Sequence, residues 1–290
     1  MPEPRKTKKK VVSAPASTPS SAAKKKSTPA EPTWQASPQA KAEAKKLRTI
    51  TWILWILALA VTLFVAFWVL RQDPVNMWLL IGLMVVAGAL TIPGNLMWKK
   101  ANRLDPASRA EPVKFFIQNQ LGAIVSSVAF IPLIVLVFTN KNLDAKQKGI
   151  AGAIAIAIFG GSFATGVTSD PPSVEQYSDE KQLVIEMLGE DKVYWTAGGS
   201  VFHLCEGVSD LQRESKNDTI VFGTVDQAHE AGKNRLTKKV EQELSQCGLD
   251  PALYEQARAK IESGSTTDPS GNSSSEETTT DEPTETEETE

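Results

Sequence analysis

Histidine and cysteine are scarce in this 290-residue chain, with two of each. Two Cys exclude a disulfide-dense secreted scaffold. No Walker motif, GxGxxG turn, HExxH helix, GxSxG elbow or paired-carboxylate pattern occurs at a credible position, so an enzyme is not expected. Charge is missing too, but only locally. Four long apolar runs contain no Asp, Glu, Lys, Arg or His. Pumps, voltage sensors and ion-coupled transporters usually carry an ionisable group at membrane depth, so those classes are disfavoured. No internal repeat suggests paired transporter halves.

What is present is unevenly placed. The totals, 31 Lys+Arg against 34 Asp+Glu, describe an ordinary soluble protein. The distribution does not. Residues 1–48 hold 12 basic and 3 acidic side chains, net +9, while residues 263–290 hold 9 acidic and no basic ones, net -9. Residues 170–262 hold 10 basic and 18 acidic, net -8. A single soluble globule is therefore excluded. The arm over 1–48, rich in Lys, Pro, Ala and Ser, cannot bury a core, and the acidic tail over 263–290 has no core-forming residue, so both are expected to be disordered.

Between them, residues 49–169 read as a membrane all-α region of four transmembrane helices. A helix needs roughly 20 apolar residues to cross about 30 Å of hydrocarbon. The runs at about 49–70, 77–97, 116–139 and 149–169 meet that length. Five of the 7 Trp (52, 55, 68, 78 and 98) lie in or beside the first two runs, where amphipathic rings meet the headgroups. Pro93 and Pro132 are candidate kinks whose freed carbonyls need partners inside a bundle. Gly149, Gly152, Gly160, Gly161 and Gly166 give the fourth run a small face, which predicts close packing inside the bundle.

Orientation is contested within the sequence. The arm, ending in Lys45, Lys46 and Arg48, and the loop 98–114 both read as cytoplasmic by the positive-inside rule. The charged region is too long, and the first apolar run too spanning, for a signal peptide. Four spans return the C-terminal domain to the cytoplasm. The last loop argues the other way, because Lys141, Lys146 and Lys148 precede the fourth run and Asp170 follows it. The even count is preferred, with an extracytoplasmic domain as the alternative. The expected location is the plasma membrane.

Residues 170–262 read as a small α+β domain. Asp170-Pro171-Pro172 stops the fourth run. A surface helix is expected over 173–189, capped by Ser173. KVYWT (192–196) and VFHLC (201–205), joined through Gly198-Gly199, read as a hairpin pairing Trp195 with Phe202 and Tyr194 with His203. A third strand is expected at 219–222. Thr224 and Gln227 then form a capping box for a short helix ending at Gly232. Helices are expected over about 236–247 and from Asp250-Pro251 to about 262.

All His and Cys of the chain fall within this domain: His203, Cys205, His229 and Cys247. Three readings stand open. The four residues have the ligand types and number of a zinc site, though His-x-Cys is not the usual clasp and His229 falls on a helix expected to be exposed. Cys205 and Cys247 alone form a disulfide if the domain sits in an oxidising space. Otherwise they are separate buried thiols beside ordinary His. A His203–Cys205 nucleophile pair lacks a third group to orient the base.

The Ala/Pro/Lys-rich arm, DPPSVEQY (170–177) and VYWTAGGSVFHLC…GTVDQAHEAGK (193–233) together resemble multi-pass membrane proteins of actinobacteria. The last segment, with its surroundings about a third of the chain, is similar to a small domain of envelope proteins. The resemblance implies a setting without a mechanism, and some similar domains lie outside the membrane.

These readings lead to a structural or interaction protein that anchors a small domain at the membrane. A sensor or metal-binding module, and a channel or transporter for a neutral or hydrophobic substrate, are the alternatives. The expected partners are the lipid bilayer and other proteins. The basic arm can also meet anionic lipid headgroups, and specific nucleic-acid binding is not expected.

Overall fold

The computed structural model describes residues 10–14, 34–215 and 219–264. It is mostly helical, with four helices long and apolar enough to cross a membrane and a small sheet region. The long helices are α1 (Pro38–Phe67), α2 (Met77–Leu104), α3 (Pro112–Thr139) and α4 (Ala145–Gly166). Each begins on a local signal. Ser37, Asn76 and Asp144 accept hydrogen bonds from backbone N–H groups of the first turns of α1, α2 and α4, and Pro112 opens α3. Asp144 and Gln147 form a reciprocal capping box.

Small residues set how the helices meet. α4 buries Ala151, Gly152, Ala155, Ser162 and Gly166. A Cβ on Gly152 would strike the Phe138 ring, and one on Gly166 would strike the backbone at Gly122. Gly149 and Gly160 face open space, so the buried stripe is narrower than the glycine count suggests. Lipid tails are as apolar as the side chains, so such close packing and interhelical hydrogen bonds replace the hydrophobic drive of water.

Asn95 is the centre of those hydrogen bonds. Its Oδ1 accepts from Trp55 Nε1 at 3.1 Å, and its Nδ2 donates to Ser162 O at 2.7 Å and Ser126 Oγ at 3.2 Å. Thr91 and Ser162 hydroxyls pair at 2.9 Å. One buried amide thus joins all four helices. At the opposite end from the C-terminal domain, Asn140 Nδ2 donates to Leu70 O at 2.6 Å and ties two connecting loops together.

The domain begins with α5 (Val174–Leu188), capped by Ser173 and ended by left-handed Gly189. Then follow β2 (Val193–Trp195), α6 (Ser209–Glu214), β3 (Thr219–Gly223), α7 (Val225–Glu230), α8 (Val240–Gln246) and α9 (Ala252–Gly264). Its core gathers Val184, Trp195, Phe202, Val225 and Leu244. The sheet has the order β1-β3-β2, and β1 is Lys10–Ser13, from the basic arm. β1 runs parallel to β3 and β2 antiparallel to it.

A seam joins domain and bundle. Trp34, just before α1, meets Tyr177 edge-on at 4.9 Å, and its backbone N–H donates to Ser178 Oγ at 2.8 Å. The Tyr177 hydroxyl donates to Arg103 O at 3.2 Å, at the end of α2. Arg48 pairs with Asp105 at 2.7 Å. In the loop between α2 and α3, Ser108 Oγ and Arg109 N–H both donate to the Glu175 carboxylate. The start of α1, the end of α2, the start of α3 and the domain therefore share one end of the bundle.

Several expected boundaries move. The arm expected to be without structure over 1–48 supplies β1 and the eleven residues of α1 ahead of Thr49, because Ser37-Pro38 starts the helix and Ala40 and Ala44 bury against the domain seam. The hairpin register holds at Tyr194–His203, where both backbone bonds form, but its second arm bends away and Phe202 pairs with Leu236. β2 takes β3 as its main partner instead. Gly198 and Gly199 do not adopt positive φ, so the turn is not a primed one. The helix expected over 236–247 begins at Val240, since residues before it are drawn into that pairing. The acidic tail from residue 265 onward lies outside the described residues.

Candidate functional site

The site lies where the bent hairpin arm meets α8. On α8, Val240, Glu243, Leu244 and the capping Cys247 share one helical face, which packs on residues 202–205. His203 and Glu243 are each 1% exposed. His203 Nδ1 lies 2.7 Å from Glu243 Oε1, and Glu243 Oε2 accepts the Leu204 N–H at 3.1 Å. Two residues beyond His203 and one turn beyond Glu243, Cys205 and Cys247 are joined as a disulfide, with Cα atoms 6.0 Å apart. The imidazole–carboxylate pair and the disulfide are parallel rungs between the same two segments.

The other ring nitrogen is unusual. His203 Nε2 is buried without a hydrogen-bond partner, 3.8 Å from Glu214 Oε2, which is also buried and unpartnered. α6 delivers Glu214, and the 196–200 turn closes over it. Gly199 belongs there because a Cβ would collide with the Glu214 carboxylate. Lys233, 3% exposed, donates through Nζ to Thr196 O and Gly199 O, each at 2.6 Å. The turn is thus held by a buried ammonium in place of left-handed glycines. Burial pushes the Lys233 pKa down, against an opposing pull from the Glu214 charge. A cavity of about 460 Å³ opens beside the turn, lined by Thr196, Ala197, Gly198, Glu214 and Val221 among others.

His229 belongs elsewhere. It is fully buried on α7, stacked on Tyr177 with ring centroids 3.5 Å apart, with Phe202 edge-on. Its Nδ1 meets Lys233 O at 3.0 Å, and its Nε2 lies 3.1 Å from Glu180 Oε2, out of line for a hydrogen bond. The expectation of an exposed His229 is corrected: α7 turns it inward onto the seam. Tyr177 is held neutral, its pKa pushed up by burial first and by the Glu180 charge second.

The structure therefore divides the four residues suggested as zinc ligands. Cys205 and Cys247 bond each other, His203 pairs with Glu243, and His229 stacks on Tyr177. Among the described residues no group of three or more His, Cys, Asp or Glu is arranged to hold a metal ion. A His203–Cys205 nucleophile is likewise precluded in this state, since the Cys205 sulfur is in a disulfide. Glu243, Glu214 and Lys233 were not singled out from the sequence. One signal existed for Glu243, which sits between Val240 and Leu244 on an apolar stripe.

Glu243 accepts the Leu204 N–H and lies within hydrogen-bond distance of His203 Nδ1, which fixes the orientation of the ring. His203 Nε2 and Glu214 Oε2 then face each other across 3.8 Å, each without a hydrogen-bond partner. No family model, curated protein or solved structure matches the chain.

Proposed function

We propose that this multi-pass membrane protein is an anchor that presents its C-terminal α+β domain, in a fixed pose, to partner proteins at one membrane face. The observation that supports this most is the seam. Trp34, Tyr177, Arg103, Ser108 and Glu175 tie the domain to three helix ends. A domain on a loose linker would need none of these contacts. Asn95 engages Trp55, Ser126 and Ser162 in helix–helix hydrogen bonds inside the bundle, which suits an anchor. The test is site-directed photocrosslinking in intact cells from exposed domain positions such as Lys238 and Glu255. A discrete protein adduct from these positions, absent when the photoreactive group is placed at the exposed span position Ile56, is expected. Adducts to lipid alone at every position would overturn the reading.

The domain face is assigned to the cytoplasm. Seam-side ends carry Lys41, Lys45, Lys46, Arg48, Lys99, Lys100, Arg103, Arg109 and Lys114, against Arg71, Lys141, Lys146 and Lys148 at the other end. The arm also lies beside anionic headgroups on that side. The disulfide is the opposing observation, because thiols stay reduced in most cytoplasms. An impermeant thiol reagent on intact cells decides. Labelling of Cys205 and Cys247 only after lysis supports the cytoplasmic side. Labelling of intact cells after an impermeant reductant overturns it.

A second reading, a cation-responsive module, is favoured by the facing orphan atoms of His203 and Glu214. Zinc titration of the purified full chain, read by thermal melting, should raise the domain transition and lose the effect in His203→Gln. No shift at millimolar zinc removes this reading.

A further inference from the structure

The sheet contains a strand that comes from far outside the domain. β1 is four residues long and is separated in sequence from β3 by all four spans. It adds along the edge of β3 in the register Lys10↔Thr219 to Ser13↔Phe222, and the Ala14 N–H donates to Phe222 O at 2.7 Å. Its side chains contribute little. Val11 packs on Val208, Leu211 and Ile220, and Ala14 touches the main core. Val12 is 38% exposed and Ser13 is exposed. Most of the attachment is main-chain hydrogen bonding, which any extended segment can supply.

Where β1 ends, no described residue fills the surface. Beyond Ala14 lies a cavity of about 500 Å³ lined by Ala14, Trp195, Val221, Gln227, Glu230 and Lys233. Gly223 ends β3 at this point, and its Cα faces Ala14, the Trp195 ring and Gln227. Trp195 and Val221 give the cavity an apolar floor, and Glu230 gives its rim a carboxylate. The resident strand places one methyl group there.

We infer that the β3 edge and this cavity form a peptide-binding site. The residues 10–14 strand is its tethered, low-occupancy-strength resident. The partner is an extended segment of another protein, with a β-branched residue in the Val11 position, a bulky apolar residue in the Ala14 position, and flanking basic side chains. The basic flank follows from Glu230 and from the net charge of -8 over 170–262 (10 basic, 18 acidic). The arm belongs to the same chain, so a partner must bind better than the arm to displace it. The inference deepens the interaction reading by naming the partner's chemistry.

The test uses full-length protein in detergent and fluorescein-labelled peptides of residues 8–16, one native and one carrying Ala14→Leu. The arm is weakened in the protein by Val11→Gly and Val12→Gly. Anisotropy should show at least tenfold tighter peptide binding to the weakened protein than to the wild type. The Ala14→Leu peptide should bind tighter than the native one. Equal weak binding to both proteins, with the domain melt unchanged, overturns the inference. Unfolding of the domain when the arm is weakened also overturns it, because the strand would then belong to the core. A wild-type dimer that the arm substitutions dissolve would assign the slot to a second copy and overturn the foreign-peptide occupant. If peptides fail but crosslinking finds a partner elsewhere on the domain, only the slot is lost. If peptides bind but no adduct forms in cells, only the interaction reading is lost.

Discussion

The bundle and the domain of this protein are stabilised in opposite ways. The bundle's hydrogen-bonded polar centre is neutral: Asn95, Trp55, Ser126 and Ser162, with glycines that let backbones touch. The domain buries Glu243, His203 and Lys233 and adds a covalent bond. The contrast follows from the surroundings. Charges inside hydrocarbon are costly, and lipid supplies no hydrophobic drive between helices, so close packing and shared amides do the joining. A domain of about 90 residues in water has a real but small hydrophobic core, and cross-links and polar clamps add to it.

If this contrast holds, perturbations should separate cleanly. The largest effect belongs to the disulfide. Replacing both partners by Ser opens a loop of sequence separation 42 and should cost the domain about 4 kcal/mol on the chain-entropy account. Calorimetry should show the domain transition falling while the bundle transition stays. A matched fall in both would mean that the seam makes them one cooperative unit.

Next comes Glu243→Ala. It leaves His203 Nδ1 and the Leu204 N–H without their partner and should cost about 1–3 kcal/mol, again in the domain alone. Protease accessibility of 196–205 is a direct readout. A cost within experimental error would remove the pair from the list of clamps.

Asn95→Leu should cost about 1 kcal/mol and act on the bundle only, because interhelical hydrogen bonds in membranes are individually modest. It orphans Trp55 Nε1, so the Trp55 emission environment should change. A loss as large as that from Glu243→Ala would erase the contrast.

The smallest effect is at the seam. Hydrogen bonds from Arg109 and Ser108 hold the Glu175 pKa below its ordinary value of 4.5, overcoming the larger, opposing effect of burial. A lowered carboxylate pKa stabilises above the unfolded value and loses that contribution as pH falls through the folded one. Hydrogen exchange at Arg109 should therefore quicken below about pH 4.5, with Glu175→Gln showing the fast rate already at neutral pH. A pH-independent rate would mean that the other seam contacts suffice.

Much of the fold was legible because local chemistry decides it. Apolar runs of spanning length marked four helices, and Ser173 and Thr224 marked helix starts that the structure keeps. The hairpin pairing of Tyr194 with His203 was readable from alternation and turn residues. β1 was not, since VVS within a Lys/Pro-rich arm shows no pattern until β3 offers an edge. Glu214 and Lys233 were hidden for a similar reason. Each looks like a solvated surface charge, and only the fold buries the Lys233 ammonium and one Glu214 carboxylate oxygen.

The sequence by itself determined that this chain has four membrane-length helices, charged tails of opposite sign and a small mixed domain. Those properties reside in runs of neighbouring residues, and hydrophobicity and capping act over a few positions. The tertiary structure decided the rest: that the arm becomes a strand of the distant domain, that Cys205 finds Cys247, and that His203 faces two carboxylates. Each of these joins residues about 10 to 200 positions apart, and chain-distant contacts are set by which surfaces remain to be buried once the local elements have formed.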